Sequence, residues 1–301
     1  MGGIFYWVLN MSLSAALVSG VILLLRCIKR IPRRVISVLW LLPLIRLLIP
    51  VGLSGKYSLM SFISSFTTRT VTVYEKNPVT LTMTNCIMAA DEYFPITYKV
   101  NIIEDVMNVG FFVWVTVALA LIIAMAIVYF ATKKELCDAV GIRDNIYYSG
   151  KVNTPAVYGI IKPKIIFPTD QTDKYVLLHE QAHIKRLDNL WRMIAIVTAC
   201  IHWFNPLVWL FLKLYISDSE LACDESVIAR LQKTEHKEYA LTLLRYTEVK
   251  TVYASPFGGA GVRTRIERIL SYKKLSVLSV ISFTLLILFT AYFLLTNSMG
   301  G

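Results

Sequence analysis

The chain has 301 residues, a net charge of +11 and an apolar fraction of 56%, with only 17% charged residues. Soluble domains carry about 25% charged residues, so disordered, collagen-like and disulfide-scaffold classes are excluded and an integral membrane protein with a polar portion remains. On such a protein the excess of 31 Lys and Arg over 20 Asp and Glu reads first as basic segments facing the cytoplasm and anionic lipid.

Residues 4–25 carry no charge, residues 35–53 only Arg46, and residues 106–130 none. Each is close to the ~20 apolar residues that cross a hydrocarbon core. A fourth stretch, 275–295, follows Lys273 and Lys274. No basic residue precedes the first stretch and no small-residue cleavage site follows it, so it reads as a span and not a signal peptide. Arg26, Lys29, Arg30, Arg33 and Arg34 behind it place that loop in the cytoplasm and the N-terminus outside. Counting onward, 54–105 lies outside and 131–274 inside, which agrees with Lys133–Lys134 after the third span and the basic run before the fourth. The five cysteines (27, 86, 137, 200, 223) form no C-x-x-C pair, and only Cys86 is outside, so no intrachain disulfide is expected.

The outer loop holds two alternating, Thr-rich runs at 67–74 and 79–84, a weak hairpin signal. In the inner portion, turn residues punctuate 145–168 and leave Ala156–Tyr158 and Lys164–Phe167 as short strands, followed by a helix opening near residues 170–172.

Within that helix stands His179-Glu180-Gln181-Ala182-His183. A spacing of four puts both imidazoles on one face, able to share a tetrahedral zinc ion, with Glu180 between them as a base for water. The next apolar run, 190–216, is interrupted by Asn205–Pro206, an N-cap followed by a residue suited to the first helical position. The run therefore reads as a hairpin that dips into the membrane, not as a fifth span. The outgoing limb from His183 measures about 26–30 Å and the return from Pro206 to Glu220 about 21 Å, so Glu220 arrives near the histidines as third ligand. One turn later Asp224 can hold an imidazole N–H, and Glu225 is the adjacent competitor for either role. Three protein ligands with one open position describe a catalytic zinc site.

The runs HEQAHIKRLDNLW, WFNPLVW and SELACDESV, with TPAVYGIIKPKIIFP upstream, resemble the BlaR/MecR-type membrane metallopeptidases, the antirepressor and β-lactam-sensing transducer family. The resemblance implies a mainly α membrane protein: four transmembrane helices, with a cytoplasmic gluzincin-like α+β zinc metallopeptidase domain inserted between the third and fourth. It implies one zinc ion per chain on His179, His183 and Glu220, with Glu180 as general base. The implied activity is endopeptidase cleavage of the chain itself and of a cytoplasmic transcriptional repressor, in antibiotic-resistance signalling. The implied partners are that repressor and the bilayer, with no direct nucleic acid; a homodimer is compatible.

The expected organisation is spans one and two with their basic loop in 1–53, an outer loop in 54–105, span three in 106–130, the peptidase domain in 131–274 with its hairpin at 190–216, and span four in 275–295. Val157, Tyr158 and Gly159 are the expected substrate-binding edge, by strand addition. Ser255, Pro256 and Phe257, in a flexible basic segment, are the expected self-cleavage linker. Such transducers continue into an extracellular penicillin-binding sensor, expected to be missing here. The only literal Ser-x-x-Lys, at Ser271–Lys274, precedes the fourth span on the cytoplasmic side, and no Lys-Thr-Gly follows it. Two rival readings stand beside this one: a Ste24/HtpX-like quality-control protease, and a non-catalytic receptor or scaffold stabilised by zinc.

Overall fold

The structure is a computed structural model, and it describes residues 2–49, 54–55, 101–168, 172–248 and 261–298. The expected outer hairpin at 67–84 lies outside the described residues, as does Cys86. Cys27, Cys137, Cys200 and Cys223 are free thiols.

The chain is mainly helical. Helix α1 (Gly2–Cys27) leads through a short basic turn to α2 (Arg33–Leu39) and α3 (Leu41–Leu48). The second apolar stretch is thus two short helices broken at Trp40. The physical reason is Pro43, which has no N–H to offer the carbonyl of Leu39 four residues earlier. Helix α4 (Asn101–Glu135) is the longest. Among the described residues three helices are long and apolar enough to cross a membrane, within Gly3–Cys27, Val106–Asp138 and Val277–Leu295. The second and third of these leave almost their whole circumference exposed (Val109, Phe112, Ile127 and Leu285, for example), as lipid-facing helices do.

After α4 comes a four-stranded sheet of β1 (Val140–Arg143), β2 (Ile146–Tyr148), β3 (Ala156–Tyr158) and β4 (Lys164–Phe167), in the order β1-β2-β4-β3. The last two form at the bounds their turn residues suggest. Strands β2 and β4 run parallel and the other pairs antiparallel, and β3 is an edge. Ile165 and Phe167 are fully buried against Val176 of helix α5 (Lys174–Arg186). The Asp173 side chain caps α5 by accepting the N–H groups of Tyr175 and Val176.

Helix α5 does not continue into the hairpin as one limb. Leu187 takes a left-handed conformation (φ 56°) and separates α5 from α6 (Asp188–Ile201). Asn205 then caps α7 (Pro206–Ile228) by accepting the Leu207 N–H, with Pro206 in the first turn. Helices α8 (Glu235–Glu248), α9 (Val262–Leu270) and α10 (Val277–Leu295) complete the chain. One apolar core joins α1, α2, α3 and α10 to the hairpin; a second packs Cys223, Val227 and Ile228 of α7 against Tyr239 and Ile269. Helix α7 runs through both.

Candidate metal centre

His179 and His183 leave one face of α5 and are both buried, with their Nε2 atoms 3.2 Å apart. Glu220, from α7, stands with one carboxylate oxygen 3.7 Å from His179 Nε2 and the other 3.7 Å from His183 Nε2. The outer nitrogens are already engaged. His183 Nδ1 lies 2.7 Å from the Asp188 carboxylate, so that N–H donates to it. His179 Nδ1 lies 2.9 Å from the Tyr239 hydroxyl oxygen and 3.3 Å from Asp224, and the Tyr239 O–H donates to Asp224 at 2.7 Å.

These bonds assign the tautomers. With both Nδ1 atoms carrying protons, both Nε2 atoms present lone pairs toward each other across 3.2 Å. Two facing lone pairs repel unless a cation stands between them or a further proton bridges them. Tetrahedral zinc with Zn–N bonds of about 2.0–2.1 Å needs its nitrogens ~3.3 Å apart, so the pair fits. The charge balance agrees. Burial works against a charged His183, yet the neighbouring Cys223 and Glu220 outweigh it and push its pKa up to about 10. Burial would likewise raise Glu220, but His183 first, then His179 and the Arg265 and Arg192 guanidinium groups, hold it well below the carboxylate range. The cluster demands positive charge.

Glu180 is buried beside the histidines, and burial pushes its carboxyl above the usual value against the opposing pull of the two imidazoles. It faces a cleft of about 840 Å³, lined also by Tyr158, Asn189, Arg192, Tyr246 and Arg265. Val157 and Tyr158 of the β3 edge line the same cleft; the Gly159 carbonyl beside them is bonded to the Asn189 amide. Glu225 turns away: its carboxylate accepts the backbone N–H groups of Arg33 and Arg34. Ser255, Pro256 and Phe257 lie outside the described residues.

Several contributors had no sequence signal strong enough to single them out. Asp188 follows the unforeseen break at Leu187. Tyr239 comes from α8, sixty positions beyond His179. Arg265 comes from α9 and grips Asp224 at 2.7 and 2.8 Å, holding that carboxyl below its usual value although burial opposes this. Cys223 is also close: its sulfur and the two imidazoles offer ligand atoms within 4.8 Å of one another, and its thiol donates to the His179 carbonyl at 3.3 Å. The spacing of three from Glu220 was a visible cue to that proximity.

The family model described as BlaR1 peptidase M56 matches residues 6–270. Among curated proteins, the chain is 31% identical over 113 residues to the methicillin resistance mecR1 protein of Staphylococcus aureus, covering 35% of this chain and 19% of that protein. It is 32% identical over 153 residues to the regulatory protein BlaR1 of Bacillus licheniformis, covering 45% and 26%. With the regulatory protein BlaR1 of Staphylococcus aureus it shares 35% identity over 89 residues, covering 29% and 15%. The matched stretches therefore span about a quarter or less of the relatives' length.

Proposed function

The chain belongs to the BlaR1 peptidase M56 family, and from that membership we propose a membrane-embedded, zinc-dependent endopeptidase that acts in signal transduction by cleaving itself, a cytoplasmic transcriptional repressor, or both. The observation that carries this reading is the pair of inward Nε2 atoms of His179 and His183 with the Glu220 carboxylate beside them, next to a buried carboxyl in an open cleft.

In this reading His179, His183 and Glu220 would hold one zinc ion, which would supply Lewis-acid polarisation of the scissile carbonyl and a water acidified toward pKa ~7. Glu180 accepts the proton of the attacking water and returns it to the leaving amine. Asp188 and the Tyr239–Asp224 pair keep each imidazole turned with Nε2 inward. The β3 edge binds an extended polypeptide by main-chain pairing, so the substrate needs no particular side-chain code there.

The proposed topology has four crossings, the broken α2–α3 segment being the second, with the peptidase portion on the cytoplasmic side. Support comes from the basic loop behind α1. Arg26 and Arg33 pair with Asp218 at 2.7 and 3.1 Å, two residues from Glu220, a contact that supports placing the loop and the site on one side of the membrane. Family membership favours this reading over the Ste24/HtpX alternative.

The direct test is Glu180→Gln in the full chain, with zinc content and proteolysis of co-encoded repressors measured together. Zinc should stay at one per chain while cleavage falls by about 10²- to 10⁴-fold. Undiminished cleavage removes Glu180 as the base. A chain that binds no metal removes the hydrolase reading and the zinc-stabilised scaffold together, whereas a wild-type chain that holds zinc and cleaves nothing favours the scaffold.

A further inference from the structure

Strand β3 is an edge, but half of that edge is already paired, by a side chain. The Ile165 N–H donates to Asn145 on the β2 side at 2.8 Å, so its register partner Val157 turns its own N–H and C=O outward, away from β4. The Asn189 amide sits on that open edge. Its Nδ2 donates to the Val157 carbonyl at 2.9 Å and to the Gly159 carbonyl at 3.2 Å, two acceptors in line on alternate residues. A single –NH₂ thus takes the bonds that a neighbouring strand would make there. Gly159 closes the strand immediately after, with φ +93°; a Cβ on it would meet the Lys162 carbonyl oxygen at 3.0 Å. By the same alternation the Pro155 C=O and the Val157 N–H also point outward, flanking Ala156, on residues that line the cleft.

Asn189 also sits in the first turn of α6, next to Asp188, which orients His183. One turn of helix therefore ties the edge strand to a histidine of the metal centre. The geometry points to Asn189 as a register-setting residue: it closes the C-terminal half of the β3 edge and leaves one two-bond window, so that an extended polypeptide binds at a single offset from Glu180. This deepens the peptidase reading and rests on it. It assigns Asn189 a positioning and specificity role, with main-chain amides of an unfolded segment as the ligand chemistry.

The test compares the full-length wild-type chain with Asn189→Ala in lipid nanodiscs, using a synthetic library of unstructured peptides. With Val157 C=O released, extended peptides gain an alternative pairing. Cleavage should spread from one dominant bond per peptide to neighbouring bonds, and KM for long peptides should shift by about 2- to 10-fold, the scale of one hydrogen bond. Zinc content should hold, so that a changed product distribution reads as a changed register and not as a lost metal centre. An unchanged product distribution with unchanged KM overturns the assignment.

A second measurement needs no Asn189 variant. In the Glu180→Gln chain, saturating peptide should slow amide hydrogen exchange at Val157, and unchanged exchange there also overturns the assignment. If no chain cleaves but Val157 becomes protected, the hydrolase reading fails while the binding window stands. If cleavage proceeds and neither readout moves, the window alone fails.

Discussion

Helix α7 presents Asp218 and Glu225 to one side and Glu220 and Asp224 to the other, all buried or nearly so. On the first side every acceptor meets a donor from the chain. Asp218 takes Arg26, Arg33 and the Trp40 indole N–H at 2.7, 3.1 and 2.9 Å, while Glu225 takes two backbone amides at the start of α2. On the second side Asp224 is satisfied by Tyr239 and Arg265, whereas Glu220 accepts one N–H from the part-exposed Arg192 at 3.1 Å and turns its two oxygens to two Nε2 atoms that face each other. Carboxylates of the same kind, a few residues apart, thus do different work. Completeness of the surrounding donors separates a structural clamp from a site that asks for an ion.

The comparison breaks most sharply at Asp218. Replacing it with Ala strands Arg26, Arg33 and Trp40 and should cost about 3–5 kcal/mol of stability, as loss of one partner of a buried pair does. A thermal melt in detergent should show this with or without chelator. Glu220→Ala should behave oppositely, losing metal while its melt in chelator stays close to wild type, because Arg265 keeps Asp224 and Arg192 is one-third exposed. Equal destabilisation by both substitutions would erase the distinction between the two faces. Chelation is next in size. With zinc at a thousandfold its dissociation constant the wild-type chain should gain about 4 kcal/mol. Chelator should remove all of that gain, and His183→Ala should show none.

The two faces were unequally legible. The imidazole pair follows from a spacing of four on a helix, and the approach of Glu220 from helix rise and the Asn205–Pro206 restart, because both arguments need only local geometry. Pro43 was visible, but its consequence, a second apolar stretch split at Trp40, depends on whether packing re-satisfies the Leu39 carbonyl. Leu187 at φ 56° could not be read, since nothing in a leucine announces a left-handed backbone. Asp188, Tyr239 and Arg265 reach the histidines from a helix break and from two later helices, contacts without a period in the sequence. The clamp face was hidden for the same reason. Arg26 and Arg33 read as charge of a cytoplasmic loop, yet both find a carboxylate about 190 positions away.

A smaller effect probes the support behind the ligands. Asp188→Asn can no longer hold the His183 N–H as a carboxylate does, and it should weaken zinc binding by about 10- to 100-fold without changing the one-to-one stoichiometry, as measured by competition with a coloured chelator. A full wild-type affinity would show that the Leu187 break, not Asp188, sets the ring.

Cys223 gives the smallest expected effect and the finest distinction, since its sulfur lies within 4.8 Å of an imidazole nitrogen of each histidine. Burial raises its thiol pKa, while His179 and His183 draw it down by more. Ligation by sulfur requires a thiolate, whereas the hydrogen bond to the His179 carbonyl requires the thiol proton, so the two states exclude each other. Glu220 faces no such choice, because it is ionised far below neutral pH and already lies between the two nitrogens. Cys223→Ala should therefore leave zinc stoichiometry and affinity within about threefold and cost about 1 kcal/mol in packing. Loss of zinc in Cys223→Ala, with zinc retained in Glu220→Ala, would move the third ligand from the carboxylate to the sulfur. The site would then be a Cys-His-His centre, one turn of α7 would exchange its roles, and Glu220 would become the acid paired with Arg192 at the mouth of the cleft.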